Sequence, residues 1–228
     1  MLLKLNSKQL YLVIGVLFLL QVTHVHSVEL ALGIQMQNDS VVIKDAYSGE
    51  NSIAEFDGGD SIYPLISLIT EPNYLFNDSS WGYQFKFSGT YFDIEKQKVP
   101  GINKEKDIGT SIYGYTLSAV PVGFYHFNKN SKNEWNYKTG IGLGTGYMRL
   151  KGNYKVTDSS HPDFNMVKKL STESMTLVLA LYLEANLDKH TIILQNISPL
   201  VYSGYFEYQQ SSITLSYSYA FDLSALTL

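Results

Sequence analysis

The chain has 228 residues, no cysteine and a formal charge of −4, which excludes disulfide frameworks and thiolate metal centres. The 17 basic and 21 acidic residues form no basic stripe, so a nucleic-acid partner is excluded too. Tyrosine is abundant, at 18 residues, and its amphipathic ring suits the boundary between hydrocarbon and headgroup.

Residues 1–27 read as an export leader. Lys4 and Lys8 make a positive start, Leu10 to Leu20 is an uncharged apolar core, and Val25 and Ser27 supply small residues before a cleavage point. That core is too short for a spanning helix, which needs about 20 apolar residues. Mature protein is expected to begin at Val28, and losing Lys4 and Lys8 takes the formal charge from −4 to −6.

From Val28 to Gln37, Val28, Leu30, Leu32, Ile34 and Met36 alternate with Glu29, Ala31, Gly33, Gln35 and Gln37, which is the period of a strand. Ser61 to Phe76 reads as a second strand whose Pro64 and Pro72 belong at bulges or ends. Trp81 to Asp93, Ser111 to Phe127, Trp135 to Lys151 and Thr172 to Leu187 alternate in the same way. A segment from His190, interrupted by Pro199, and a last strand from Ser212 to Leu223 complete eight. The gaps alternate long and short. The long ones, chiefly Asn38 to Asp60, Ile94 to Asp107 and Gly152 to Ser171, are polar, and this rhythm predicts extracellular loops on an even-stranded barrel with both ends in the periplasm.

Alternation alone serves either a soluble barrel or a membrane one. Three features choose an apolar face that looks outward. Strands of this length exceed the usual ~5–6 residues. Gly140, Gly142, Gly144 and Gly146 share one parity, which suits a narrow interior receiving bulky side chains from the opposite wall. Rings stand ten positions apart on one face as Trp81 and Tyr91, Tyr115 and Tyr125, Tyr137 and Tyr147, a climb of roughly 25 Å that matches two aromatic girdles. The fold class expected for 28–228 is therefore all-β: an eight-stranded antiparallel up-and-down transmembrane β-barrel.

With its Gly-alternating strand Tyr137 to Tyr147, the segment Ala119 to Phe127 before a turn, and a final strand rich in aromatics, the chain resembles the small outer-membrane β-barrels typified by the OmpA transmembrane domain and OmpX. The resemblance implies a cell outer-membrane location, contact with outer-membrane lipid and lipopolysaccharide, and insertion by the barrel-insertion machinery. Tyr219 and Phe221 fit that machinery's terminal aromatic signal, while Ser224 to Leu228 depart from it.

Parity turns Glu29, Glu71, Lys86, Lys138 and Glu184 into the lumen, and Lys138 and Glu184 are expected to approach each other near its periplasmic side. Chemistry beyond that is sparse. His126 with Ser118 or Asp222, and His161 with Ser159 and Asp163, are the sets a lipid-modifying enzyme could use. Asp57-Gly-Gly-Asp60 lacks the spacing of a calcium loop, and the Gly-x-Gly run continues as strand where a dinucleotide site needs a helix. No catalytic group, metal or cofactor is expected.

The leading functional expectation is a noncatalytic surface barrel whose loops meet the envelope, with Lys96, Lys98, Lys104 and Lys106 as candidates for lipopolysaccharide phosphates. The alternatives are an outer-membrane lipid-modifying enzyme and a soluble lipocalin-like module holding an apolar ligand inside.

Overall fold

The computed structural model describes residues 28–44, 52–76, 78–95, 97–98, 110–129, 134–199 and 206–221. The expected leader and the tail Ser224 to Leu228 lie outside them. Eight long strands appear: β1 (Val28–Lys44), β2 (Ser52–Thr70), β3 (Trp81–Ile94), β4 (Ile112–Phe127), β5 (Asn136–Lys155), β6 (Val167–Leu187), β7 (His190–Pro199) and β8 (Phe206–Phe221). Each pairs antiparallel with its chain neighbours, β8 returns to β1 through sixteen register pairs from Val28↔Phe221 to Ile43↔Phe206, and Leu65–Ile69 of β2 joins Lys86–Thr90 of β3. The sheet is a closed ring. Its first and last strands meet at the same rim, so both ends emerge on one side.

The apolar face looks outward. Leu32, Met36, Ile66, Ile141, Leu181 and Ile213 are exposed, whereas Gln35, Gln37, Gln84, Ser88, Thr214 and Ser218 are buried in the lumen. A soluble barrel would carry the reverse arrangement, so the lipocalin-like alternative loses its ligand cavity.

The strands run further than the alternation of apolar residues suggests. The span Asn38 to Asp60 is not a loop: β1 continues to Lys44 and β2 begins at Ser52. Likewise β5 reaches Lys155 and β6 starts at Val167, which leaves little of the expected Gly152 to Ser171 loop. The physical reason is an inversion of polarity along the strand. Below it the outward residues are apolar, while above it Val41, Ile43, Ile53, Phe56, Phe92, Ile94, Ile112 and Leu150 turn inward and form a buried core. A bulge keeps β2 in phase with this change: the register steps from Asp39↔Gly59 to Ser40↔Asp57, and Gly59 takes a φ of 55°, which a side chain would resist.

β2 also ends earlier than expected, at Thr70, and Asn73–Tyr74 pairs instead with Tyr83 and Gly82 of β3. Pro64 lies within β2, and Pro121 lies within β4 where the ladder to β5 breaks between Ala119↔Thr145 and Val122↔Gly142, because proline has no N–H to donate.

Candidate functional site

The lumen near the rim shared by both chain ends holds a charge network. Lys138 on β5 and Glu184 on β6 are register partners, and Lys138 Nζ donates to Glu184 Oε1 at 2.6 Å with both side chains buried. Lys86 on β3 reaches the same carboxylate from across the barrel, its Nζ 3.9 Å from Oε2 and 3.7 Å above the Tyr182 ring. Gln84 Nε2 donates to Tyr182 Oη at 3.2 Å and to Glu184 Oε2 at 3.3 Å. Glu29 stands on β1, where Ser218 Oγ of β8 donates to its Oε2 at 3.0 Å. Two ammonium groups thus face two carboxylates, which is the balance a closed low-dielectric interior demands. Glu71 is not drawn in. It lies beyond the end of β2, and its carbonyl accepts from Thr70 Oγ1 and Asn73 Nδ2 at the rim.

Gln84 and Tyr182 were legible only through their parity with Lys86 and Glu184. Length alone does not reveal that Tyr182 spans the lumen. The glycine row explains how it fits, with one correction: the bulk comes from adjacent strands rather than the opposite wall. A Cβ on Gly140 would stand 2.7 Å from the Tyr182 ring of β6, and one on Gly142 would stand 2.5 Å from Val120 of β4.

The opposite mouth is closed separately. Gln97, fully buried, donates through Nε2 to Lys155 O at 2.5 Å, while its Oε1 accepts from Lys155 N at 2.9 Å and Thr110 Oγ1 at 3.0 Å. Thr157 N donates to Ile53 O at 2.9 Å, tying the β5–β6 connection to β2 over the apolar core. Within that connection Lys168 holds the Asp163 carboxylate, and this bond, ahead of all other causes, depresses the Asp163 pKa. Ser160 lowers that of Asp158 through Oγ and N. A depressed carboxylate stabilises fully above its unfolded value, about 3.9, and loses that contribution as pH falls through the folded value. Amide exchange at Asn165 and Met166, corrected for intrinsic rates, is therefore expected to remain slow down to the ordinary aspartate range and to quicken below it. Asp163→Asn should speed it at neutral pH.

The histidines assemble no nucleophilic set among the described residues. The His126 Nδ1 is 2.5 Å from Tyr74 Oη and its Nε2 is 2.7 Å from Asn136 Oδ1, a pair of partners that suits a neutral, Nε2-protonated ring. Of the proposed partners, Ser118 lies on β4 well up the strand, and Asp222 lies outside the described residues. In the His161, Ser159 and Asp163 set, Asp163 N donates to His161 Nδ1 at 3.1 Å and Asp163 Oδ2 lies 3.9 Å from it, with that carboxylate also held by Lys168. His190 Nδ1 lies 2.6 Å from Tyr217 Oη on the outer wall. No group of three or more His, Cys, Asp or Glu side chains suited to a metal occurs among the described residues.

The five girdle tyrosines and Trp81 all face outward and separate into two levels. Trp81 packs on Tyr125 with ring centroids 5.0 Å apart, and Tyr137 pairs with Phe127, at the rim of the chain ends. Tyr91, Tyr115 and Tyr147 lie at the other level, with Tyr115 and Tyr147 centroids 6.1 Å apart. Of the four candidate lysines, Lys98 sits in a two-residue ladder against Glu55, and Lys96, Lys104 and Lys106 lie outside the described residues.

A closed antiparallel ring of eight strands with an outward apolar belt between two aromatic levels defines a transmembrane β-barrel of the outer-membrane type. No family model matches the chain, and no curated protein does. Among solved structures, the chain is similar to the attachment invasion locus protein Ail of Yersinia pestis (14% identity, 86% of this chain and 98% of that one, TM-score 0.45). It is also similar to Neisserial surface protein A (11% identity, 84% and 97%, TM-score 0.41) and to the outer membrane protease OmpT of Escherichia coli (9% identity, 86% and 96%, TM-score 0.42).

Proposed function

We propose that this protein is a noncatalytic resident of the cell outer membrane, sealed to bulk flow, that works through the surfaces it presents rather than through its lumen. One observation carries this reading: the interior is filled twice, by the Lys138–Glu184–Lys86 network near the rim of the chain ends and by the Phe56–Phe92–Leu150 core at the mouth. A filled lumen leaves anchoring and contact as the available roles. The upper parts of β1, β2, β5 and β6 extend beyond the apolar belt and supply the contact surface, with outer-membrane lipid, lipopolysaccharide or other envelope proteins as partners. Delivery by the barrel-insertion machinery and removal of residues 1–27 belong to the same reading.

The test is reconstitution of the full-length product as the cell matures it. The protein should fractionate with the outer membrane, shift its gel mobility on heating, and give no sustained conductance in a planar bilayer. Recovery in a soluble fraction without detergent refutes the membrane assignment, and stable single-channel openings refute the sealed lumen.

A further inference from the structure

The outer wall is not evenly coated. On β3, β4, β5 and β6 the register sets the outward residues in rows: Phe87–Ala119–Thr145–Leu177, then Gly89–Leu117–Tyr147–Met175, then Tyr91–Tyr115–Arg149–Glu173, then Asp93–Tyr113–Lys151–Ser171. Small residues at Gly89, Ala119 and Thr145 leave a trough of about 690 Å³, walled by Phe87, Leu117 and Tyr147 and bounded on the β2 side by Ile66 and Leu68. The backbone does not require glycine at 89. A Cβ there would meet only Leu117 Cδ2 at 3.1 Å and Thr116 O at 3.8 Å, unlike Gly144, where it would stand 2.2 Å from Ala119 O.

Directly above the trough the outward side chains become cationic. Arg149 occupies the aromatic row, Lys151 the next, and Lys169, paired with Asn153, the one beyond. Lys151 and Lys169 are exposed. Arg149 is half-buried with Tyr115 and Glu173 as its register partners, Glu173 also accepts from Tyr147 Oη at 2.8 Å, and Asp93 stands two strands away from Lys151, so Lys151 and Lys169 are the more open cations. An apolar trough inside the belt with fixed cations at its outer end complements a molecule that has a hydrocarbon chain and a phosphate at the membrane surface.

We propose that this face of β3–β6 is a binding site for one phosphorylated, multiply acylated glycolipid of the outer leaflet, with an acyl chain in the trough and a phosphate among Arg149, Lys151 and Lys169. The proposal rests on the outer-membrane reading and deepens it. It replaces the loop lysines as the principal phosphate contacts with cations whose positions the sheet holds rigidly.

The probe is bis-phosphorylated lipid A, compared with dephosphorylated lipid A and with phosphatidylglycerol. Each is offered to the folded protein in phosphatidylcholine nanodiscs or detergent micelles, and retained lipid is counted by native mass spectrometry. Two variants are used, Gly89→Leu with Ala119→Leu to fill the trough, and Arg149→Gln with Lys151→Gln and Lys169→Gln to remove charge. Heat-modified mobility verifies that each variant is folded, and the charge variant alters outward-facing groups only. Wild type should retain bis-phosphorylated lipid A preferentially, with affinity falling roughly fivefold per cation removed. The trough variant should also lose retention. Equal retention of the two lipid A forms, unchanged retention in both variants, or phosphatidylglycerol bound as well as lipid A overturns the site. A chain that folds in nanodiscs yet ignores lipid A overturns this inference alone and leaves the membrane barrel intact.

Discussion

Glu184→Gln is expected to destabilise the barrel by about 3–5 kcal/mol, because it removes the carboxylate that two buried ammonium groups share. Lys138 loses a 2.6 Å charge-assisted bond, and Lys86 loses the carboxylate 3.9 Å from its Nζ. The glutamine amide accepts one hydrogen bond but cannot offset either cation. The two lysines approach from β5 and β3, and the second carboxylate of the network, Glu29, is held by Ser218 Oγ at 3.0 Å on the β1–β8 side. The measurement is urea unfolding in micelles, followed by heat-modified gel mobility. A quadruple variant, Glu184→Leu with Lys138→Met, Lys86→Met and Glu29→Gln, should recover most of the loss, since replacing a whole buried ionic set by uncharged groups is often neutral or stabilising. If the single variant is as stable as wild type, the network is not what fills and holds this part of the lumen.

Phe92→Ala should cost a similar amount, about 3–5 kcal/mol, but its effect is expected to be confined to a different place. Phe92 is fully buried at the mouth, where Tyr63 packs on it edge-on with centroids 6.3 Å apart and Tyr63 Oη donates to Asp93 O at 2.9 Å. Removing the ring leaves a cavity in a core that has no lipid to close over it. Hydrogen exchange should quicken in the upper parts of β1, β2 and β5, while the strand segments inside the belt keep their protection. Uniform loss of protection along β3 would show that the mouth and the membrane section unfold as one unit, contrary to this expectation. A low persistent leak through the variant, absent from wild type, would identify the apolar core as the outer seal.

These two outcomes separate the layers of one molecule. The charge network lies where outward neighbours are apolar, and the mouth core lies where outward neighbours are polar, so each can be weakened without the other. The proposed glycolipid face lies between them on the outside of β3–β6, away from both groups of side chains.

Much of the architecture could be read from residue order. Period-two alternation in Leu30 to Met36, Trp81 to Tyr91 and Ile213 to Tyr219 is a local consequence of the pleat, and a strand shows it whatever its neighbours do. Lys138 and Glu184 could be paired in advance because one lies near the start of β5 and the other near the end of its neighbour β6, which places both inward-facing residues toward the same rim. The reach of the strands could not be read so easily. Val41, Ile43, Ile53 and Phe56 keep the apolar alternation but move it to the other face, and only the assembled ring distinguishes an inward core above the membrane from a polar loop. Glu71 was misplaced for a related reason: parity carries a residue inward only while the strand continues, and β2 stops at Thr70.

Residue order by itself determined the strand count, the antiparallel course and the outward apolar face, because each follows from alternation, composition and connection length. Tertiary structure alone decided which carboxylate two lysines share, how the mouth is closed, and where small side chains on four strands line up into a trough. Those features depend on groups far apart in the chain, and their distances exist only after the ring has closed.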